Sequence, residues 1–112
     1  MTANAKLQMR KGVLELCILN IIGGEEEAYP SDIIAELKKS EMIVKEGTLY
    51  PLLTRLKNAG LLAYEWREST AGPPRKYYHL TEIGREFRGE LTAAWNQLQR
   101  TVQQSQQNHQ EA

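Results

Sequence analysis

The chain has 112 residues, enough for one domain and too few for two. Its 14 basic side chains balance 14 acidic ones, so net charge alone gives no sign of a nucleic-acid partner. Cys17 is the only cysteine, which excludes an intrachain disulfide and a cysteine-spaced zinc site, and it reads as a buried small hydrophobe. Charge position says more than charge sum. Between residues 23 and 44 six acids face two bases, whereas between 45 and 80 six bases face three acids. The second segment therefore offers a local basic face of the kind that attracts phosphate. The longest apolar run, 16–22, is interrupted by Asn20 and is far too short to span a bilayer. The N-terminus lacks a signal-peptide pattern, so a cytoplasmic protein with no membrane partner is expected.

The first helix is predicted over 7–22, where Leu14, Cys17, Ile18, Ile21 and Ile22 recur at helical spacing and Leu16 and Leu19 widen the stripe. Lys6, Arg10 and Lys11 mark its wetter start, and Gly23-Gly24 is read as its stop. Pro30 suits the first position of a second helix over about 30–39, which buries Ile33, Ile34 and Leu37. A third helix ends near Gly60 and carries Leu49, Leu52, Leu53 and Leu56 on one stripe. Thr48 as its N-cap would put Pro51 at the third helical position, where proline is tolerated. Three short helices joined by tight turns, the third with a polar N-terminal end, read as a helix-turn-helix.

After Gly60 the period becomes two. Leu62, Tyr64 and Trp66 alternate with Ala63, Glu65 and Arg67, Thr70 to Pro74 forms a turn, and Arg75 to Leu80 makes a returning strand. Of Tyr77 and Tyr78, one is core and the other exposed, and Trp66 is read as wing packing. Thr81 opens a long helix with Ile83, Phe87, Leu91, Ala94, Trp95, Leu98 and Val102 at steps of three and four. About 25 residues at roughly 1.5 Å each span about 37 Å. A domain this small cannot cover such a stripe alone, so a second chain is expected there. The glutamine-rich segment beyond Val102 has no apolar face and reads as a frayed or disordered tail. The expected fold is mainly α with a small β-hairpin. It comprises a winged helix-turn-helix over 1–80, a C-terminal dimerisation helix over 81–103 and a polar tail over 104–112.

Catalytic and cofactor chemistry has no foothold in the sequence. HExxH, paired CxxC, Gly-x-Ser-x-Gly and Walker patterns are all missing, and His79 and His109 have no partner at ligand spacing. Neither an enzyme, a metal site nor a cofactor is expected. Glu15 interrupts the apolar face of the first helix and reads as a solvated or pocket-lining carboxylate.

Two longer segments carry a family resemblance. Glu46-Gly47-Thr48-Leu49-Tyr50-Pro51-Leu52-Leu53-Thr54-Arg55-Leu56 resembles the recognition-helix signature of PadR-like transcriptional regulators. Gly72-Pro73-Pro74-Arg75-Lys76-Tyr77-Tyr78-His79-Leu80-Thr81, followed by Gly84, resembles the wing of that family and the start of its last helix. The order of elements matches from about residue 6 to 103, in the form of the smaller subfamily with a single C-terminal helix. One departure is Pro30-Ser31 after Tyr29, where the family often has a glycine; it touches the start of the second helix and not the DNA surface.

The resemblance implies a homodimer that binds an inverted repeat in promoter DNA as a repressor and is released by a small molecule or another signal. Thr48 and Tyr50 lie at the open end of the third helix, where side chains meet base edges. Lys45, Arg55 and Lys57 suit phosphate contacts, and Arg75 and Lys76 suit the adjacent backbone or minor groove. Plainer roles stand beside these: Tyr50 packing on the second helix, and Arg55 and Lys57 as solvated charges. The implied dimer interface comprises Leu14 and Ile18 of the first helix with Phe87, Leu91, Ala94, Trp95, Leu98 and Val102 of the last. Some multidrug-binding members of the family stack flat aromatic ligands on a tryptophan in this part of the helix. The corresponding effector pocket would be formed by Trp95 with Met9, Glu15 and Leu16, unless Trp95 fills the interface and leaves no space. A winged-helix module that binds protein, or a small-molecule binding protein, is the alternative function.

Overall fold

The computed structural model describes residues 2–110. The elements run α1 (Thr2–Glu25), α2 (Pro30–Lys39), α3 (Glu46–Asn58), β1 (Leu62–Ser69), β2 (Gly72–Leu80) and α4 (Glu82–Gln110). This is a winged helix-turn-helix with a long C-terminal helix. Its core is one cluster in which Leu14, Ile18, Leu19 and Ile22 of α1 meet Ile33 and Leu37 of α2 and Leu49, Leu53 and Leu56 of α3. Leu62, Tyr78 and Leu80 close the cluster from the hairpin.

α1 is longer than its apolar stripe at both ends and passes through Gly23-Gly24. The expected stop falls at Glu26 instead, whose φ of 67° takes the left-handed turn. Gly23 lies instead under the side chains of two neighbouring elements. A Cβ there would overlap the Arg88 guanidinium and come within 3.0 Å of the Leu80 side chain. Its bare backbone lets α4 and β2 pack close. Arg88 also donates from Nε to Asn20 Oδ1 at 3.0 Å, tying α4 to α1.

Pro30 opens α2 as expected, with Tyr29 as the extended N-cap residue and Asp32 accepting from the Tyr29 N–H at 3.3 Å. For α3 the expectation needs correcting. Its N-cap is Lys45, not Thr48, so Pro51 lies more than a turn inside the helix. The helix stays continuous, because the Gly47 carbonyl that loses its partner sits at the exposed start, where water can serve it. α3 ends in a Schellman turn. Gly60 adopts φ 82°, its N–H donates to the Lys57 carbonyl at 3.0 Å, and the Leu61 N–H reaches back to the Leu56 carbonyl at 3.0 Å.

The hairpin is antiparallel, with Leu62 opposite Leu80, Tyr64 opposite Tyr78 and Trp66 opposite Lys76. Its turn is tighter than expected, since β2 already includes Gly72-Pro73-Pro74, and the register shifts between Arg67 and Ser69. Ala28 adds a single antiparallel bridge to Tyr78, with N···O distances of 2.9 and 2.7 Å, and so pins the α1–α2 loop to the wing. Tyr78 is the buried member of the tyrosine pair and burial pushes its phenol up; Tyr77 is half-buried. Cys17 is half-buried, and its thiol is likewise pushed up by burial.

α4 continues through the glutamine-rich segment to Gln110, so the expected unstructured tail is helical as far as the described residues go; 111 and 112 lie outside them. Glutamine is a good helix former and no glycine or proline follows Gly89 to stop propagation. The apolar stripe of α4 divides along its length. Phe87 and Leu91 pack against the core, whereas Leu98 and Val102 are more than half exposed. The molecule is accordingly elongated, 62 × 31 × 21 Å.

The start of α4 is held by Thr81. Its hydroxyl donates to the Gly60 carbonyl at 2.6 Å and accepts from the Gly84 N–H at 3.0 Å, and its own N–H donates to the Leu61 carbonyl at 3.1 Å. A Cβ on Gly84 would overlap that same Leu61 carbonyl, while nothing lies within 4 Å of one built on Gly89. Two glycine-to-alanine changes in one helix therefore have opposite signs. Gly84→Ala is expected to destabilise by about 1–3 kcal/mol through overpacking. Gly89→Ala is expected to stabilise by up to about 1 kcal/mol through helix propensity. Urea denaturation followed by circular dichroism reads both; equal midpoints for the two variants would refute the close approach at Gly84.

Candidate nucleic-acid interface

The exposed end of α3 and the wing face one groove of about 480 Å³, lined by Tyr29, Pro30 and Ser31 from the start of α2, Tyr50 from α3, and Trp66, Pro74, Arg75 and Lys76 from the hairpin. Tyr50 is 45% exposed, so it points into this groove and does not pack onto α2 as a core residue. Thr48 sits on the other flank of α3. It borders a second groove of about 390 Å³ together with Lys45, Arg10 and Lys11.

Four of the expected cations are without carboxylate partners. Among the described residues, the ion pairs are Lys39 with Glu36, Arg55 with Glu15, and Arg67 with Glu27 and Glu65. Lys45, Lys57, Arg75 and Lys76 are in none of them. Three of these rest on aromatic rings instead. Lys76 Nζ lies 4.5 Å from the Tyr64 ring centre and 5.2 Å from Trp66. Lys57 Nζ lies 5.8 Å from Tyr64, and the Arg75 guanidinium 4.8 Å from Tyr29. A cation held this way keeps its charge available to an anion, whereas a carboxylate neighbour would cancel it.

Arg55 behaves differently from the phosphate contact that the sequence suggested. Its guanidinium pairs with Glu15 of α1, on the flank of α3 turned away from the wing. Arg67 is also engaged: it makes a forked contact with Glu27, one arm at 2.6 Å, and lies 4.6 Å from the Tyr77 ring. That contact raises the Arg67 pKa above its already high value and joins the wing to the α1–α2 loop. Sequence reasoning missed Arg10 and Lys11 as neighbours of this surface. They stand beside Lys45 and Thr48, and Arg10 Nη2 donates to the Ile43 carbonyl at 2.8 Å. Their only sequence signal was a basic start to α1, which says nothing about what α1 packs on.

Met9, Glu15, Leu16 and Trp95 line one cleft of about 370 Å³ between α1 and α4 of the same chain, with Leu91, Ala94, Leu98 and Val102 on its far wall. Two corrections apply. Glu15 is compensated by Arg55, so the cleft wall does not present a free carboxylate. Leu14 and Ile18, expected at a dimer interface, are 8% and 0% exposed within this chain's own core. They face α2 and α3, on the opposite side of α1 from Met9.

No helix among the described residues is long and apolar enough to cross a membrane, and no cluster of three or more potential metal ligands occurs among them. The family model of the transcriptional regulator PadR-like family matches residues 18–90. The chain is 33% identical over 95 residues to a transcriptional regulator of Mycobacterium tuberculosis, covering 85% of this chain and 87% of the relative. A PadR-like transcription factor from Bacteroides fragilis is 63% identical, with a TM-score of 0.75 over 88% of this chain and 95% of its own. A PadR family regulator from Eggerthella lenta reaches a TM-score of 0.82 at 34% identity, over 90% and 88% of the two chains. The chain belongs to the PadR-like family of transcriptional regulators, which are DNA-binding winged-helix proteins and not enzymes.

Proposed function

We propose that this protein is a cytoplasmic homodimeric repressor that binds an inverted-repeat operator and releases it when a small aromatic molecule enters the α1–α4 cleft. The observation that carries the DNA side is Arg75 and Lys76 on the Tyr50 groove, each set against an aromatic ring and in no ion pair among the described residues, with Lys57 of α3 held likewise at the Tyr64 ring. Thr48 and Tyr50 read base edges, Lys45, Lys57, Arg75 and Lys76 hold phosphates, and Arg55 contributes little while Glu15 holds it. The dimer side rests on the C-terminal half of α4. Trp95, Leu98 and Val102 leave an apolar surface that one chain does not cover, and two copies related by a two-fold axis bury it together. Phe87 and Leu91 already pack on the core and form only the inner edge of that interface.

Release then has a physical route. Glu15 lines the cleft on one side and pairs with Arg55 of α3 on the other, so a guest that displaces Glu15 also disturbs the recognition helix.

DNA binding is measured by fluorescence anisotropy on an operator selected from a random duplex library. Arg75→Ala or Lys76→Ala is expected to weaken binding to every sequence and to flatten the slope of log K against log salt by about 0.9 per lost phosphate contact. Tyr50→Ala is expected to narrow the ratio of specific to non-specific affinity, and Arg55→Ala to leave both within about twofold, since its guanidinium is already engaged. Wild-type affinity in a Tyr50/Arg75/Lys76 triple alanine variant would refute the assigned surface.

Dimerisation is read by analytical ultracentrifugation. Deleting 104–112 is expected to leave the dimer intact, because that segment has no apolar face. Truncation before Leu91 is expected to give aggregated or unfolded protein, and a well-folded monomer from it would overturn the α4 interface.

For the effector, Trp66→Phe leaves Trp95 as the sole indole. Planar aromatic cations and phenolic acids are then titrated while emission and operator release are followed. Saturable quenching that tracks release supports stacking on Trp95. Equal release from a folded Trp95→Ala dimer removes it.

A further inference from the structure

We propose that Trp66 and Tyr64 are positioning residues for DNA binding, forming an aromatic shelf that holds the Lys76 ammonium, with Lys57 beside it, ready for a phosphate. This rests on the reading of Lys76 as a phosphate contact and adds how that contact is prepared.

The pairing register generates the shelf. Trp66 is directly opposite Lys76 across the hairpin, and Tyr64 lies two residues from Trp66 on the same face. Lys76 therefore falls between two rings, 4.5 Å from one centre and 5.2 Å from the other. The rings themselves meet edge to face, 6.2 Å apart with planes at 90°. Lys57 reaches the same Tyr64 ring from α3, bringing cations of the recognition helix and the wing to one aromatic group.

Core packing does not account for Trp66. It is 61% exposed, and a large indole is left in water beside a lysine. The other wing cation of comparable position, Arg67, is held by Glu27. The difference has a chemical consequence. A ring face attracts the ammonium through its quadrupole but accepts no strong hydrogen bond, so the three N–H donors of Lys76 stay free. A carboxylate would occupy those donors and repel an incoming phosphate. The long lysine chain, ordered in advance, loses less freedom when the phosphate arrives.

The test compares Trp66→Leu, Trp66→Phe, Lys76→Ala and the Lys76→Ala/Trp66→Leu double variant in the full chain. Binding to a mixed-sequence duplex is measured across a salt series, the Lys76 side-chain methylene shifts by NMR without DNA, and stability by urea. In the wild type those methylenes are expected to be shifted upfield by the rings. Trp66→Leu is expected to move them towards free-lysine values and to lower affinity about two- to fivefold. The salt slope stays unchanged, since no cation is lost, and so does the urea midpoint. Trp66→Phe restores both shift and affinity. Lys76→Ala reduces the slope by about 0.9, and on that background Trp66→Leu has no further effect.

Free-lysine shifts in the wild type overturn the shelf. So does wild-type affinity in Trp66→Leu while Lys76→Ala weakens binding, an outcome that leaves the phosphate reading standing. A loss from Trp66→Leu that persists without Lys76 means direct indole contact with DNA and also overturns it. If Lys76→Ala changes neither affinity nor slope, the phosphate reading fails and the shelf falls with it.

Discussion

One threonine hydroxyl fixes the geometry on which the remainder of the molecule depends. Thr81 caps α4 through the Gly84 N–H and at the same time donates to Gly60, the left-handed residue that ends α3. Its backbone N–H takes up the Leu61 carbonyl. Four residues thus join the end of the recognition helix, the end of the wing and the start of the long helix at a single point. Gly84 is needed because the helix begins directly against the Leu61 carbonyl, with no room for a side chain. A loss of the Thr81 side chain removes an N-cap, which typically contributes about 1 kcal/mol. With it goes the side-chain link between the start of α4 and the Gly60 carbonyl at the end of α3.

That junction gives motion at either end a way to reach the other. α4 forms one wall of the cleft and α1 the opposite wall, with Arg88 bonded to Asn20 and packed over Gly23 at the inner end. α1 in turn meets α3 at Glu15 and Arg55. The recognition helix is therefore gripped twice, at its C-terminal end by the start of α4 and on its flank by α1. In the proposed release, a change in the spacing of α1 and α4 would act on both contacts, and because cores are densely packed it would move helices as units.

The parts of the fold that were legible in the sequence are those written in short-range pattern. The leucine spacing of α3, Gly60 at its end, the alternation from Leu62 to Arg67 and Thr81 as a helix start each depend on neighbours within a few residues. What was misread depends on distant partners. Gly23-Gly24 looks like a stop signal, yet α1 runs through both, with Arg88 and Leu80 lying against Gly23. Leu14 and Ile18 carry the pattern of a buried face, but periodicity does not say whether the same chain or another covers it; here α2 and α3 do. Arg55 is a cation at the right place in the motif, and only the fold reveals Glu15 opposite it. Among the candidate cations, Lys76 gains its meaning from Trp66 across the hairpin. That pairing follows from the tight turn at Thr70-Ala71 together with the one-residue register shift between Arg67 and Ser69; without the shift Trp66 would be opposite Arg75, and Lys76 would lie on the other face.

The distribution of paired and unpaired charge explains how an electrically neutral chain can present a nucleic-acid surface. Compensation is spatial. Arg55 and Arg67 are matched by carboxylates at positions where they fasten α1 to α3 and the wing to the α1–α2 loop. Lys57, Arg75 and Lys76 are matched by rings at positions where they face outward. The acids that balance the sum lie from Glu25 to Glu27 and along α2, and one of them, Glu27, reaches the wing itself, where it holds Arg67. Arg67 is directly opposite Arg75 across the hairpin, and Arg75 is set against the Tyr29 ring. A matched and an unmatched guanidinium thus stand side by side. What separates them is the partner each meets: a carboxylate cancels the charge, and a ring leaves it available to an anion. In the proposed DNA complex the available cations are therefore set residue by residue, and the sum over the chain says nothing about them.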